Sequence, residues 1–248
     1  MSLWSLLACS AALLALPCLF RPRTSEPWEF RGFLAFLWYL NAAYCGLFHR
    51  LQAEPATLPT TGPAILIANH TCNIDHFLLQ ACTGRKLGFM IAREYYDYWA
   101  FRPFCEMIGC IPVNRNGNDT AATRAALRAL KEGRVLPIFP EGRILMTSGR
   151  EIGDGQPGVA FIAMRANVPI IPAYISGTPK ANKLLISLLT PSDSRVVFGE
   201  PIDLSEFQSP ENHESERDAR LAATEKLMAA IRALRDRVDL DEREPTTE

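Results

Sequence analysis

Ala64-Ile65-Leu66-Ile67-Ala68-Asn69 is a run in which only the last residue is polar, entered through the turn-forming Pro59-Thr60-Thr61-Gly62-Pro63. A continuous apolar run of this length between turn signals reads as a buried strand. Asn73 is placed to cap a helix through His76-Phe77-Leu78-Leu79-Gln80-Ala81, stopped by Gly84. Leu87–Ala92 reads as a second strand, and 120–133 as a helix with Asp119 or Thr120 as cap and Gly133 as stop. Val135–Phe139 gives a third strand, and Pro157–Asn167 a helix with proline at its first position. Residues 169–176 and 195–201 supply further strands, and Glu214–Val238 a long helix with apolar positions at Leu221, Leu227, Ile231 and Leu234. Strands alternating with helices predict an α/β fold, a central, mostly parallel sheet flanked by helices.

The 248 residues are 48% hydrophobic and 21% charged with a net charge of −1, which excludes a disordered chain and argues against a dedicated nucleic-acid binder. The charge is uneven. Residues 1–20 carry none, residues 21–205 hold 19 basic and 15 acidic side chains, and residues 206–248 hold 7 basic and 12 acidic. Such a gradient fits a membrane end, an anion-handling body and a solvated C-terminus. Three segments are expected: 1–52 as N-terminal membrane-anchoring helices, 53–205 as the α/β domain, and 206–248 as a C-terminal helix with an acidic tail.

Leu3–Phe20 is apolar throughout and, as a helix, spans about 27 Å against a hydrocarbon core of about 30 Å. A secretory signal would want a cation before the run, whereas Arg21 and Arg23 follow it. The expectation is a retained membrane helix with the body on the cytoplasmic face. The second apolar stretch, Phe33–Phe48, contains Asn41 and is rich in Trp and Tyr. It suits a helix dipping into one leaflet, with a buried core helix as the alternative. Seven cysteines with no Cys-x-x-Cys spacing predict reduced thiols rather than a disulfide framework. The glycosylation-like triplets at Asn69 and Asn118 are read as accidental.

The chemistry concentrates after the Ala64–Asn69 run. His70 and Asp75 are separated by four residues, so the histidine can sit in a turn while the carboxylate reaches back from the first helical turn. A carboxylate on one imidazole nitrogen fixes the tautomer and stabilises the imidazolium formed when the other takes a proton. That is the equipment of a general base acting on a hydroxyl. The pair taken alone is weak, but Gly109–Arg115 (GCIPVNR), Leu136–Arg143 (LPIFPEGR) and Val168–Ile175 (VPIIPAYI) follow in order.

Together these four blocks resemble the glycerolipid acyltransferase family of 1-acylglycerol-3-phosphate and lysophospholipid acyltransferases, over residues 60–202. The resemblance implies that His70 deprotonates the acceptor hydroxyl and that Asp75 orients it. It further implies that Glu141 and Gly142 belong to the acceptor-binding block and that Arg115 meets the glycerolipid phosphate. It implies no metal or cofactor, with acyl-CoA or acyl carrier protein as co-substrate and donor, a lysophospholipid as acceptor, and a bilayer as the setting. In the commonest form of the third block a threonine separates glycine from arginine, whereas here Arg143 follows Gly142 directly. The form FPEGRI resembles the variant in 2-acylglycerophosphoethanolamine acyltransferase domains, so Arg143 either binds phosphate from a shifted backbone or braces the loop. The expected acceptor is 1-acylglycerol-3-phosphate; the alternatives are another lysolipid such as lysophosphatidylethanolamine, or a non-catalytic lipid-binding member of the family, against which the retention of both His70 and Asp75 argues.

Other features are given bland readings. Gly153–Gly158 spells a dinucleotide pattern, but no strand is expected to lead into it, and a loop before a helix fits better. Cys72 as a nucleophile, and a metal site from His70, Asp75, His76 and Glu141, are disfavoured. His49 and His213 are expected on the surface. Tyr95, Tyr96, Tyr98, Trp99, Phe101 and Phe104 form either a packed helix edge or an interfacial surface at an acyl-chain entrance.

Overall fold

The computed structural model describes residues 28–114, 119–144, 151–180, 183–207 and 215–243. The apolar run Leu3–Phe20, expected as a membrane helix, and Arg115, Asn118, His213 and the last acidic residues therefore lie outside the described residues. The elements are α1 (Phe33–Ala43), β1 (Gln52–Ala53), β2 (Ala64–Ala68), α2 (Asp75–Ala81), β3 (Met90–Ala92), α3 (Arg93–Tyr96), α4 (Arg102–Ile108) and β4 (Ile111–Val113). There follow α5 (Thr120–Lys131), β5 (Val135–Ile138), α6 (Pro157–Ala166), β6 (Ile170–Ser176), α7 (Leu184–Leu189), β7 (Arg195–Phe198) and α8 (Glu216–Arg243). The main sheet has the order β1-β7-β6-β2-β5, parallel at every junction except β6–β7. Strands β3 and β4 pair in parallel beside it, and the parallel bridge from Leu87 to Val135 ties them to β5.

The central strand β2 is buried on both faces, and that is why its sequence does not alternate. Ala64, Leu66 and Ala68 enter one core with residues of α2, and Ile65 and Ile67 enter the other with residues of α5, α6 and α8. Helix α5 starts as its sequence indicates, with the Asp119 carboxylate accepting from the Ala122 N–H, and α6 starts at Pro157.

Helix α1 ends in a π turn over Tyr44–Phe48 and lies on α2. The Trp38 indole N–H donates to the Thr83 carbonyl at 2.9 Å, and the Asn41 amide to the Phe77 carbonyl at 2.9 Å. One side of the stretch is thus a core helix, while Phe33, Leu40 and Leu47 remain exposed. Among the described residues no helix is long and apolar enough to cross a membrane.

Two expectations are corrected. His49 is fully buried, its ring bonded to the Ser192 hydroxyl at 2.7 Å and the Tyr44 hydroxyl at 2.8 Å, because the π turn folds it inward. Leu221 is exposed, whereas the expected Leu227, Ile231 and Leu234 are buried in a stripe that also takes in Ala219, Ala223 and Val238. Small alanines let α8 approach α6 closely, so the stripe is set by spacing and not by residue size. Helix α8 shares the core of the α/β domain.

Candidate active site

Because β2, β5 and β6 are parallel, their C-terminal ends open on one rim of the sheet, where α/β folds gather ligands. His70 follows β2, the Phe139–Arg143 loop follows β5, and Thr178 follows β6. At the end of β4 the Asn114 N–H donates to the Asp119 carboxylate at 2.7 Å.

Asp75 is fully buried at the start of α2. Its Oδ2 accepts from the His70 Nδ1–H at 2.8 Å and from the backbone N–H groups of Thr71 and Cys72 at 2.6 and 3.0 Å. Its Oδ1 accepts from the Thr71 hydroxyl at 2.5 Å and the Cys72 thiol at 3.7 Å. This set of donors, at a helix N-terminus, suits a buried carboxylate anion. An acceptor-only carboxylate requires the proton on Nδ1, which leaves Nε2 of His70 with a lone pair and no protein partner among the described residues.

The His70 ring is clamped. Phe139 stacks on its face with centroids 4.1 Å apart at 10°, and His76 meets it edge-on at 5.7 Å. Burial, and next the neighbouring His70, push His76 down to about 4, so it is a neutral wall at ordinary pH. Burial, and next the Asp75 charge, push the Cys72 thiol up to about 12, which removes it as a nucleophile. Among the described residues no three His, Cys, Asp or Glu side chains converge in a way that could hold a metal ion.

Glu141 is also buried, and both oxygens are occupied: Oε1 accepts from the His70 N–H at 2.8 Å and Oε2 from the Gly153 N–H at 2.9 Å. It staples the β5 loop to the histidine and to the loop before α6. Burial raises its carboxyl above the usual range, and the two amide donors work against that rise. Gly142 has φ +71°, a conformation that a side chain would strain, and so turns the chain sharply after Glu141. Arg143, next along, is exposed at the rim. Of the dinucleotide-like glycines, Gly153 and Gly155 lie in the loop before α6 and Gly158 in its first turn, and Gly155 packs where a Cβ would meet Thr224 at 2.7 Å.

Sequence reasoning missed Thr71, Phe139, Asn69 and Thr178 as parts of the site. Phe139 and Asn69 flank the motif residues but look like ends of apolar strands, and Thr178 has no local signal. Asn69 is buried with its amide bonded to both the N–H and the carbonyl of Ile175, a geometry that leaves no room for a glycan.

An imidazole with one open nitrogen, backed by a buried carboxylate on the rim of a parallel sheet, is an arrangement that can take a proton from a hydroxyl. The sequence model of the Acyltransferase family matches residues 51–176, and the chain belongs to that family. The probable 1-acyl-sn-glycerol-3-phosphate acyltransferase of Mycoplasma pneumoniae is 28% identical over 132 residues, covering 50% of this chain and 48% of that protein. The match thus spans about half the length of that relative. The 1-acyl-sn-glycerol-3-phosphate acyltransferase of Salmonella typhimurium is 28% identical over 218 residues, covering 83% of this chain and 81% of its own. The crystal structure of PlsC, the 1-acyl-sn-glycerophosphate (LPA) acyltransferase of Thermotoga maritima, superposes with a TM-score of 0.59 at 21% identity, covering 91% of this chain and 88% of that one. That similarity carries the fold.

Proposed function

We propose that this acyltransferase moves a fatty acyl group from a thioester, acyl-CoA or acyl carrier protein, to the free hydroxyl of 1-acylglycerol-3-phosphate. The observation that carries the reading is the His70–Asp75 pair with Nε2 open to the rim; the names of the relatives support the acceptor. Nε2 takes the hydroxyl proton, and the alkoxide oxygen attacks the thioester carbonyl. The tetrahedral intermediate expels the thiolate, which receives the same proton from His70. Asp75 holds Nδ1 and stabilises the imidazolium while it lasts. Every atom of the exchange comes from the two substrates and one side chain, so no metal or prosthetic group is required by the chemistry.

Glu141 acts on the reaction by fixing the His70 backbone, and Gly142 by turning the loop that presents Arg143. Arg115 and Arg143 offer guanidinium forks to the acceptor phosphate. Arg143 directly after Gly142 favours a second reading, in which a lysolipid such as lysophosphatidylethanolamine is the acceptor. Purified protein given radiolabelled acyl-CoA and a panel of lysolipids separates the two: label in phosphatidic acid supports the first, label in phosphatidylethanolamine alone the second. Arg115→Ala should raise the acceptor KM about tenfold or more while leaving the donor KM unchanged; equal effects on both remove its phosphate role.

The setting is a bilayer with the body on its cytoplasmic face. The Leu3–Phe20 run followed by Arg21 and Arg23 supports this, as do Leu47, Trp99, Leu185 and Leu189, each more than 70% exposed.

A further inference from the structure

We propose that Thr178 is a positioning residue that sets the His70–Asp75 pair through Thr71, a role that rests on His70 acting as the base. The Thr178 hydroxyl lies 2.8 Å from the Thr71 hydroxyl, and the Thr71 hydroxyl lies 2.5 Å from Asp75 Oδ1. The direction of this chain is forced. The Asp75 carboxylate can only accept, so the single Thr71 proton goes to it, and the Thr71 oxygen must then accept from Thr178. A hydroxyl that receives a hydrogen bond donates a stronger one, so Thr178 strengthens the hold on Oδ1 while Oδ2 holds His70 Nδ1.

The support is rigid because β6 is pinned at that end. Gly177 has φ +66°, and a Cβ there would collide with the Asp193 carbonyl oxygen, so the backbone carrying Thr178 is wedged against the segment before β7. One strand register back, the Asn69 amide is bonded to both polar atoms of the Ile175 backbone at 2.7 and 2.9 Å. The β6 end is therefore braced twice against the turn that holds the dyad, once by Asn69 and once by the pair of threonines. Without Thr178, the Thr71 hydroxyl keeps its proton on Asp75 but loses the donor that fixes its rotamer, and the carboxylate gains freedom to rotate away from Nδ1.

The test compares full-length Thr178→Val, which keeps the shape and removes the donor, with Thr178→Ser, which keeps the donor, and adds Thr71→Val and the double variant. Thr178→Val should lower kcat about tenfold with the acceptor and donor KM values unchanged, and Thr178→Ser should restore most of it. In the Thr71→Val background, Thr178→Val should cost much less than it does alone, because the short route to Asp75 is already cut and only the contact of Thr178 with the Cys72 thiol is left. A substrate-free readout accompanies the kinetics: the downfield proton resonance of His70 Nδ1, assigned by its loss in His70→Ala, should move in Thr178→Val and return in Thr178→Ser. An unchanged kcat and resonance in Thr178→Val overturns the proposal, as do failed rescue by serine and a full additional loss in the double variant. If the wild-type protein acylates no lysolipid, the proposed function fails, and the resonance still decides the role of Thr178.

Discussion

His70 is held from four sides, by Asp75 at Nδ1, Glu141 at its backbone, Phe139 on its face and His76 at its edge. Removing its ring leaves Asp75 with the Thr71 and Cys72 donors, so the carboxylate is not orphaned. His70→Ala should therefore lower turnover by about 10²- to 10⁴-fold while keeping the cooperative unfolding of the parent, read by initial rates and thermal denaturation; near-normal turnover removes the base assignment. His76 makes a pH prediction. Its ordinary value is 6.5 and burial lowers it to about 4, so between these values the unfolded chain holds a proton that the native one refuses. Stability should fall as pH drops through that window, with a slope from this group of up to about 1.4 kcal/mol per pH unit. Buried His49, also lowered, adds the same sign, whereas Glu141, raised, opposes it because the native carboxyl takes its proton first. Urea midpoints measured from pH 7 to pH 4 should decline less steeply in His76→Phe than in the parent; parallel curves reject the assignment.

At the scale of elements, the site depends on where strands end. The antiparallel β6–β7 pair brings Ser176 opposite Arg195, and the chain closes beyond it with Gly177 against the Asp193 backbone. Gly177→Ala combines a left-handed φ with a backbone clash and should destabilise the protein by about 3 kcal/mol or more, read as a lowered denaturant midpoint; an unchanged midpoint refutes the close approach. Strand β2, helices α5 and α6 and the His-x4-Asp turn were legible because their signals are local: an unbroken apolar run, an aspartate cap, a proline start. The short parallel pair β3–β4 was half legible, since Met90–Ala92 lies in an expected strand and Ile111–Val113 does not. Three-residue strands gain their order from a neighbour and not from their own pattern. The exposed Leu221 shows the same limit, because at that end of α8 Ala219 and Ala223 face the core and Leu221 does not.

Among the described residues, most exposed large apolar side chains lie on α1, α3–α4 and α7, while α8 on the opposite face of the sheet exposes Leu221 and Leu240 among several ion pairs. If the bilayer meets that apolar side, Leu185→Ser with Leu189→Ser should weaken co-sedimentation with anionic vesicles about tenfold and leave turnover on a short-chain, water-soluble acceptor unchanged. Equal binding by parent and variant refutes the contact. What the sequence by itself determined was the class of fold, the family and the pairing of His70 with Asp75, because strand burial, capping and the His-x4-Asp turn are written within a few residues of one another. What only the tertiary structure decided was how that pair is held, by Glu141 on the His70 backbone, Phe139 on its face and Thr178 behind Thr71, and, away from the pair, that His49 is buried against Ser192 and Tyr44. Those contacts join residues up to 143 positions apart, and their partners are chosen by which parallel strands lie side by side, a choice made by packing two cores against one sheet.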